Sequence, residues 1–434
     1  MKNKILKIKI FIIVCFLFAC YYTREHIVHI YFDKASNPTL IQMVDFVKRK
    51  DTDIKIVHWE RINAHIKNKQ DYKNVFFTKN EHSISSIVKA LKLHLFNVKV
   101  VIHLNMHQDY FLNRFVEDHG KRIIKEIHLY EDSPGYFWET SRVDYLLDSF
   151  WNIKKIIHLW GASEKLCETP NSLARCNKVK EIMKRVTVEP VDFYEMEKRL
   201  SLDEKKKIFN LVGYDYDDLS KLFLNKKTVV YTLGCNVYKS YKATQIVVLK
   251  RLCQNSVYKN YNWFYKNHPT GYCRVPDRTL KALCPNIKAL DAHVPFEVLI
   301  LGGLAPTKIA GSGSGIFFSF KKDDVLAYVA RENKDPYLSK LKKVGILTDK
   351  EVYTISDAEK MFEELNIFSI KEIEGYQRYL LQTDEKTVLD MFGSETGEII
   401  EATLTQKIIK FKTRIVTIVP EDDYRWNIIS EEKI

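Results

Sequence analysis

The chain has 434 residues, of which 28% are charged, 12% aromatic and 46% apolar; this excludes a disordered chain and suffices for two domains of ordinary size. The formal net charge of +13 suits an anionic ligand, an anionic glycan or a membrane surface. Nucleic acid is excluded as a partner, because no basic stripe interleaved with aromatics and no nucleic-acid motif accompanies that charge.

The chain opens with Lys2, Lys4, Lys7 and Lys9, then an apolar run over residues 10–19. A positive start and a core of about ten apolar residues predict a signal segment. The run ends in Leu17-Phe18-Ala19-Cys20, which is similar to a lipoprotein cleavage box, with the bulky Phe18 as a departure. Read on through Tyr21 and Tyr22, the same stretch is an uncleaved anchor. Either reading predicts membrane attachment and removes residues 1–23 from the fold; the side of the membrane stays open. Eight cysteines include no CxxC pair, which argues against a zinc knuckle. Spacing alone leaves Cys167 and Cys176 open between a small disulfide loop in an exported chain and, as the default, a pair of unlinked thiols.

From residue 26 the pattern alternates. Strands are predicted over 26–32 (HIVHIYF), 54–58, 75–78, 98–104 (VKVVIHL) and 123–130, with helices over 39–48, 85–96 and 109–119. Strands alternating with helices imply a parallel sheet covered on both faces, with ligands at the strands' carboxyl ends. The polar residues there are Asp33, Asn80, Asn105, His107 and the pair Glu131-Asp132. Two adjacent carboxylates at a strand end point one side chain inward and one outward. A carboxylate in an apolar cleft is a candidate general base on a hydroxyl.

A second set begins after a weakly patterned stretch over 170–220. Helices are predicted over 202–212 and 241–252, and strands over 228–232 (TVVYT), 262–266 (NWFYK) and 287–290. The strand NWFYK runs into Lys266-Asn267-His268-Pro269; a cation and an imidazole at a strand end suit a phosphate leaving group. Residues 293–320 (HVPFEVLILGGLAPTKIAGSGSGIFFSF) place Glu297 in a short buried helix. A Gly-Ser loop over 311–315 follows, whose small residues let a backbone approach an anion. The loop lacks both the P-loop lysine and the GxGxxG spacing. Residues 403–419 have high strand propensity and form a β-containing appendage within 375–434.

With these residues in view, the chain resembles the bacterial sialyltransferases of glycosyltransferase family 80, from about Ile30 to about Met361. The likeness rests on Tyr31-Phe32-Asp33-Lys34-Ala35-Ser36, Ile102-His103-Leu104-Asn105, Leu129-Tyr130-Glu131-Asp132 at the family's D/E-D-G motif, and Leu211-Val212-Gly213-Tyr214. It continues in Tyr265-Lys266-Asn267-His268-Pro269 at the K-G-H-P motif, Pro295-Phe296-Glu297-Val298-Leu299, and the paired-serine segment 312–319. The resemblance implies a GT-B fold of two Rossmann-like domains facing a central crevice. They are placed at residues 24–184 (acceptor side) and 185–374 (donor side, with a returning helix near 356–374). It also implies an inverting transferase that uses CMP-sialic acid with no cofactor and no metal. Asp132 would be the general base and His268 the acid or phosphate stabiliser. Donor contacts would come from Lys266, Pro269, Glu297, Gly313, Ser314, Gly315 and Asn105. Acceptor contacts would come from Asn80, Glu131, His107 and Gln108. Ser133 stands where the family has glycine, Gly315 replaces the second serine, and Gln108 takes the column of a family histidine with His107 one residue off. The region of the acceptor-site tryptophan falls near Val237-Tyr238. The expected acceptor is a galactose-terminated oligosaccharide or lipooligosaccharide. The alternatives are transfer of another CMP-linked acidic sugar and a non-catalytic glycan-binding lipoprotein.

Overall fold

The computed structural model describes residues 24–34, 37–95, 97–135, 148–166, 186–234, 239–268, 277–330, 337–364, 398–402, 407–420 and 426–433, with single positions 13, 177, 181, 184, 275 and 335. The predicted leader, Cys167, Cys176, Val237-Tyr238 and Pro269 lie outside the described residues. Among the described residues no helix is long and apolar enough to cross a membrane.

The first compact unit runs through Asp217 and takes in Val294–Gly303. Its sheet has seven parallel strands: β1 (His26–Asp33), β2 (Ile54–Trp59), β3 (Val75–Phe77), β4 (Val98–Asn105), β5 (Ile124–Tyr130), β6 (Lys154–Trp160) and β7 (Thr187–Val191), in the order β3-β2-β1-β4-β5-β6-β7. Both faces of the central strands are covered, so β1, β4, β5 and β6 are largely buried on both sides. Val28, Ile30 and Phe32 of β1 join Val100, Ile102 and Leu104 of β4 in one core, closed by Ile84 and Val88 of helix Glu81–His94 and by Phe111, Leu112 and Phe115 of helix Asp109–His119. The opposite face carries His29, Tyr31, His103, His128, Tyr130 and His158, all buried. Helix Asn37–Lys48 packs there through Phe46, edge-on to Tyr31 and Trp59.

The first five strands fall within a residue or two of the sequence reading. β6 and β7 do not appear in that reading, and the sheet runs past the expected domain boundary at 184. β7 carries Pro190, which is tolerated because β7 is the sheet's edge strand and the missing N–H breaks no ladder. Glu297 was assigned to the second domain; the structure groups its stretch with the first unit. The reason is packing: Val298, Leu299, Ile300 and Leu301 of helix Glu297–Leu301 are buried, against helices Phe193–Lys198, Leu202–Leu211 and Asn37–Lys48.

The second unit has six parallel strands: β8 (Thr228–Thr232), β9 (Asn262–Lys266), β10 (Lys288–Leu290), β11 (Lys308–Ser312), β12 (Val325–Val329) and β13 (Val352–Tyr353), in the order β10-β9-β8-β11-β12-β13. One face is covered by helices Lys239–Gln254, Asp277–Leu283 and Ile355–Glu364, through Val247, Leu280 and Ala358 among others. A disulfide joins Cys253 to Cys284 across this layer, a pairing that spacing alone does not reveal. The appendage is a four-stranded antiparallel sheet of β14 (Glu398–Ala402), β15 (Lys407–Lys410), β16 (Arg414–Pro420) and β17 (Trp426–Lys433), in chain order.

Candidate active site

Each parallel sheet reverses its strand order once, between β1 and β4 in the first unit and between β8 and β11 in the second. The carboxyl edge at such a reversal is where open α/β sheets hold ligands. Most residues singled out from the sequence lie at one of these edges.

In the first unit Asp33 ends β1 fully buried, and Gln108 Nε2 donates to its Oδ1 at 3.5 Å. Asn105 ends β4; its Oδ1 accepts from the His107 backbone N–H at 3.0 Å, and its carbonyl accepts from Gln108 N at 3.0 Å. This tight turn leaves His107 half-buried. Past β5 the two carboxylates divide as expected. Glu131 is fully buried, and its Oε2 accepts from Trp160 N at 2.9 Å and from Ser163 Oγ at 2.7 Å. Ser163 Oγ in turn accepts from Gly135 N at 3.1 Å, so Glu131 braces the Ser133-Pro134-Gly135 turn. Asp132 is half-buried at the edge. Burial raises its pKa above the ordinary carboxylate value, with His107 and then Arg61 pulling the other way. That is the electrostatic setting of a base. Asn80 caps helix Glu81–His94, its Oδ1 accepting from Ser83 N at 3.0 Å, and the helix starts four residues earlier than predicted. Glu297 is buried in the first turn of its helix.

In the second unit Lys266 ends β9, and its Nζ donates to the Ala292 carbonyl at 3.0 Å. Asn267 clasps Val275 in both directions, its Nδ2 donating at 3.1 Å and its Oδ1 accepting at 3.0 Å, which leaves His268 half-buried just beyond the strand. The Gly-Ser stretch begins later than expected, because Gly311 and Ser312 complete β11. Gly311 has φ +121°, and a Cβ there would lie 2.0 Å from the Thr232 carbonyl oxygen, so only glycine lets β11 lie against β8. At Gly313 a Cβ would meet Tyr328 Oη at 2.5 Å and Asp335 Oδ2 at 2.8 Å. Ser314 caps the short 3-10 turn Gly315–Ser319, accepting from Ile316 N at 3.5 Å. Gly313, Ser314 and Gly315 therefore stand where β11 ends and a helical turn begins.

Four residues at these edges were not singled out from the sequence. Arg61, shortly after β2, reaches Asp132 electrostatically. Ser312 Oγ and Gln245 Nε2 are buried without a hydrogen-bond partner among the described residues, while Gln245 Oε1 accepts from Gly234 N at 3.2 Å. Asp335 accepts from Tyr328 Oη at 2.8 Å behind Gly313. Ser312 opens the paired-serine segment, which the resemblance marked without giving this residue a role; the others come from segments with no motif.

Two parallel sheets of this kind, each reversing its strand order once, are those of the GT-B fold. Residues 178–352 match the family described as Sialyltransferase PMO188. The GT-B domain of a sialyltransferase from Photobacterium damselae is similar at 17% identity and a TM-score of 0.60, over 76% of this chain and 99% of that one. An α/β-galactoside α-2,3-sialyltransferase from Photobacterium phosphoreum gives 17% and 0.58, over 77% and 100%. A 2,6-sialyltransferase from Photobacterium sp. JT-ISH-224, in a ternary complex with CMP and lactose, gives 16% and 0.59, over 76% and 78%. No curated protein matches.

Proposed function

We propose that the protein transfers sialic acid from CMP-sialic acid to a galactose-terminated oligosaccharide or lipooligosaccharide, with inversion and without a metal. The observation that carries the reading is Asp132: a half-buried carboxylate at a strand's carboxyl edge, its pKa raised by burial, with His107 and Arg61 beside it. Sialic acid bears its own carboxylate at the anomeric carbon, so the oxocarbenium-like transition state forms once the leaving phosphate is stabilised. The protein's tasks are then to take the acceptor's proton, hold the phosphate and orient both.

In this mechanism Asp132 accepts the proton of the attacking hydroxyl. His268 donates a hydrogen bond or a proton to the departing CMP phosphate. Gly313, Ser314 and Gly315 offer hydroxyl and backbone N–H groups to the same phosphate, Glu297 accepts from the ribose hydroxyls, and Lys266 and Pro269 complete the donor contacts. Asn105, His107 and Gln108 serve the sialyl and acceptor side, while Asn80 and Glu131 act through the cap and the brace that shape it. The leader would tether the enzyme to a membrane. The solved complex of the Photobacterium sp. JT-ISH-224 enzyme with CMP and lactose supports the choice of donor and acceptor class.

Calorimetric titration with CMP tests the assignment. We expect binding to wild type and to Asp132→Ala, and at least tenfold weaker binding to Glu297→Ala and Ser314→Ala, the loss of a charged or neutral hydrogen bond. Equal affinity in all four proteins would remove the donor assignment.

A further inference from the structure

The second face of the first sheet carries a row of imidazoles and phenols where parallel sheets ordinarily carry aliphatic side chains. His29 and Tyr31 of β1, His103 of β4, His128 and Tyr130 of β5 and His158 of β6 are all buried there. His29 Nδ1 faces His103 Nε2 at 3.2 Å, and His128 Nδ1 faces His158 Nε2 at 3.0 Å. The His103 and His128 rings stack with centroids 4.4 Å apart, which joins the two pairs. His103 Nδ1 lies 2.8 Å from Tyr130 Oη. A nitrogen-to-nitrogen contact needs one lone pair, so one ring of each pair must stay neutral. Protonating both rings would set two N–H groups and two charges against each other in a dry interior.

The charged groups around the row are already engaged. Asp45, from helix Asn37–Lys48, lies 3.6 Å from His103 Nε2, but it accepts from Tyr31 Oη at 2.6 Å and from Arg49 at 2.7 and 3.1 Å. Those contacts fill both carboxylate oxygens and set a cation beside them, which disfavours a metal ion among His29, Asp45 and His103. Asp53, just ahead of β2, favours a proton on His29 through space, less than burial and Arg49 oppose it. Glu126 accepts from His128 Nε2 at 2.7 Å and from Lys154 at 2.9 Å, and Glu189 of β7 lies 3.3 Å from His158 Nδ1. Lys155, on β6, donates to the Ile153 and Phe150 carbonyls. Incoming protons on the middle rings therefore meet Arg49 and, among the described residues, no uncommitted carboxylate.

We propose that this row of histidines is an acid-sensing device that keeps the first unit folded near neutral pH and dismantles it when the rings take protons. The consequence reaches the active edge, because Asp33, Asn105 and Asp132 stand two residues beyond Tyr31, His103 and Tyr130 on the same chain segments. Burial holds His29 at about 4 and His158 at about 3, and His103 well below its ordinary value, whereas histidines in the unfolded chain titrate near 6.5. The unfolded state thus binds protons that the folded state refuses. The stability these rings provide is complete above 6.5 and is lost as the pH falls below it, toward about 4 for His29 and about 3 for His158. Each ring multiplies the unfolding constant up to ~10-fold per pH unit in that window, so the three together reach ~10³-fold.

Urea unfolding of the full chain, followed from about pH 8 to about pH 4.5, reads the protons taken up on unfolding from the slope of stability against pH. We expect the slope to fall by about one proton in His158→Gln and in His29→Gln. Imidazole proton resonances of the wild type give an independent reading that needs no variant. Those of His29, His103 and His158 should stay still until the fold is lost. Resonances of His29, His103 and His158 that titrate near 6.5 in the folded chain, or an unchanged slope in both variants, would overturn the proposal.

Discussion

Gly313→Ala is the substitution whose effect follows most directly from the geometry. An added Cβ would sit 2.5 Å from Tyr328 Oη, 2.8 Å from Asp335 Oδ2 and 3.1 Å from Tyr328 Cζ. To reach an ordinary contact distance the hydroxyl must retreat by about 1 Å, which breaks its 2.8 Å bond to Asp335. Asp335 Oδ1 also accepts from the Tyr337 and Leu338 backbone N–H groups, at 2.9 and 3.0 Å, so it cannot follow the hydroxyl. A hydrogen bond to a charged group contributes about 1.5–3 kcal/mol, and overpacking costs about 1–3 kcal/mol. The expected loss is about 3–5 kcal/mol of stability, read by urea unfolding. Tyr328→Phe removes the closest atom, so the double variant should recover at least about 1 kcal/mol relative to additivity, the size of a clash relieved. A Gly313→Ala protein within about 0.5 kcal/mol of wild type, or strict additivity in the cycle, would refute the close packing.

Asp132→Asn should lower turnover by about 10²–10⁴, the usual contribution of a positioned base, as measured by the release of CMP with acceptor present. Because burial raises the Asp132 pKa, the folded state holds that proton more tightly than the unfolded state does. Its contribution to stability is therefore present in acid and lost as the pH rises, so Asp132→Asn should raise the urea midpoint at neutral pH while transfer collapses. For activity the sign is opposite: turnover is retained above the raised pKa and lost as the pH falls through it. His107→Ala, which removes a group that lowers this pKa, should move the acid limb of kcat/KM to higher pH, and an unmoved limb would dissociate His107 from Asp132. The disulfide closes a loop with a sequence separation of 31, for which chain entropy gives about 3–4 kcal/mol. Cys253→Ala should lower the unfolding free energy by about that amount, and reducing agent should have the same effect on wild type.

The parts of the fold written in local pattern were legible in the sequence. β1, β4, β5 and β9 alternate or run apolar over five to eight residues and give way to polar ones. That local pattern is enough to put Asp33, Asn105, Asp132 and His268 at carboxyl edges. What was not legible depends on partners distant in sequence. β7 reads poorly because an edge strand tolerates Pro190. Glu131 and Asp132 are neighbours with opposite fates, decided by Ser163 and the Trp160 N–H, which lie 32 and 29 residues from Glu131. Asn80 was picked as a polar strand-end residue and serves as a helix cap. The histidine row was invisible because each member looks like an isolated polar residue in its own strand; only the register of β1, β4, β5 and β6 brings the rings together.

Transfer from CMP-sialic acid is tested by following both products at once. The purified, folded chain is given CMP-sialic acid with lactose, and CMP and sialyllactose are followed in the same samples. Both should accumulate in step, the new linkage should be an α-sialoside, and Asp132→Asn should slow both by about 10²–10⁴. Neither product from protein shown to be folded would contradict transfer from CMP-sialic acid.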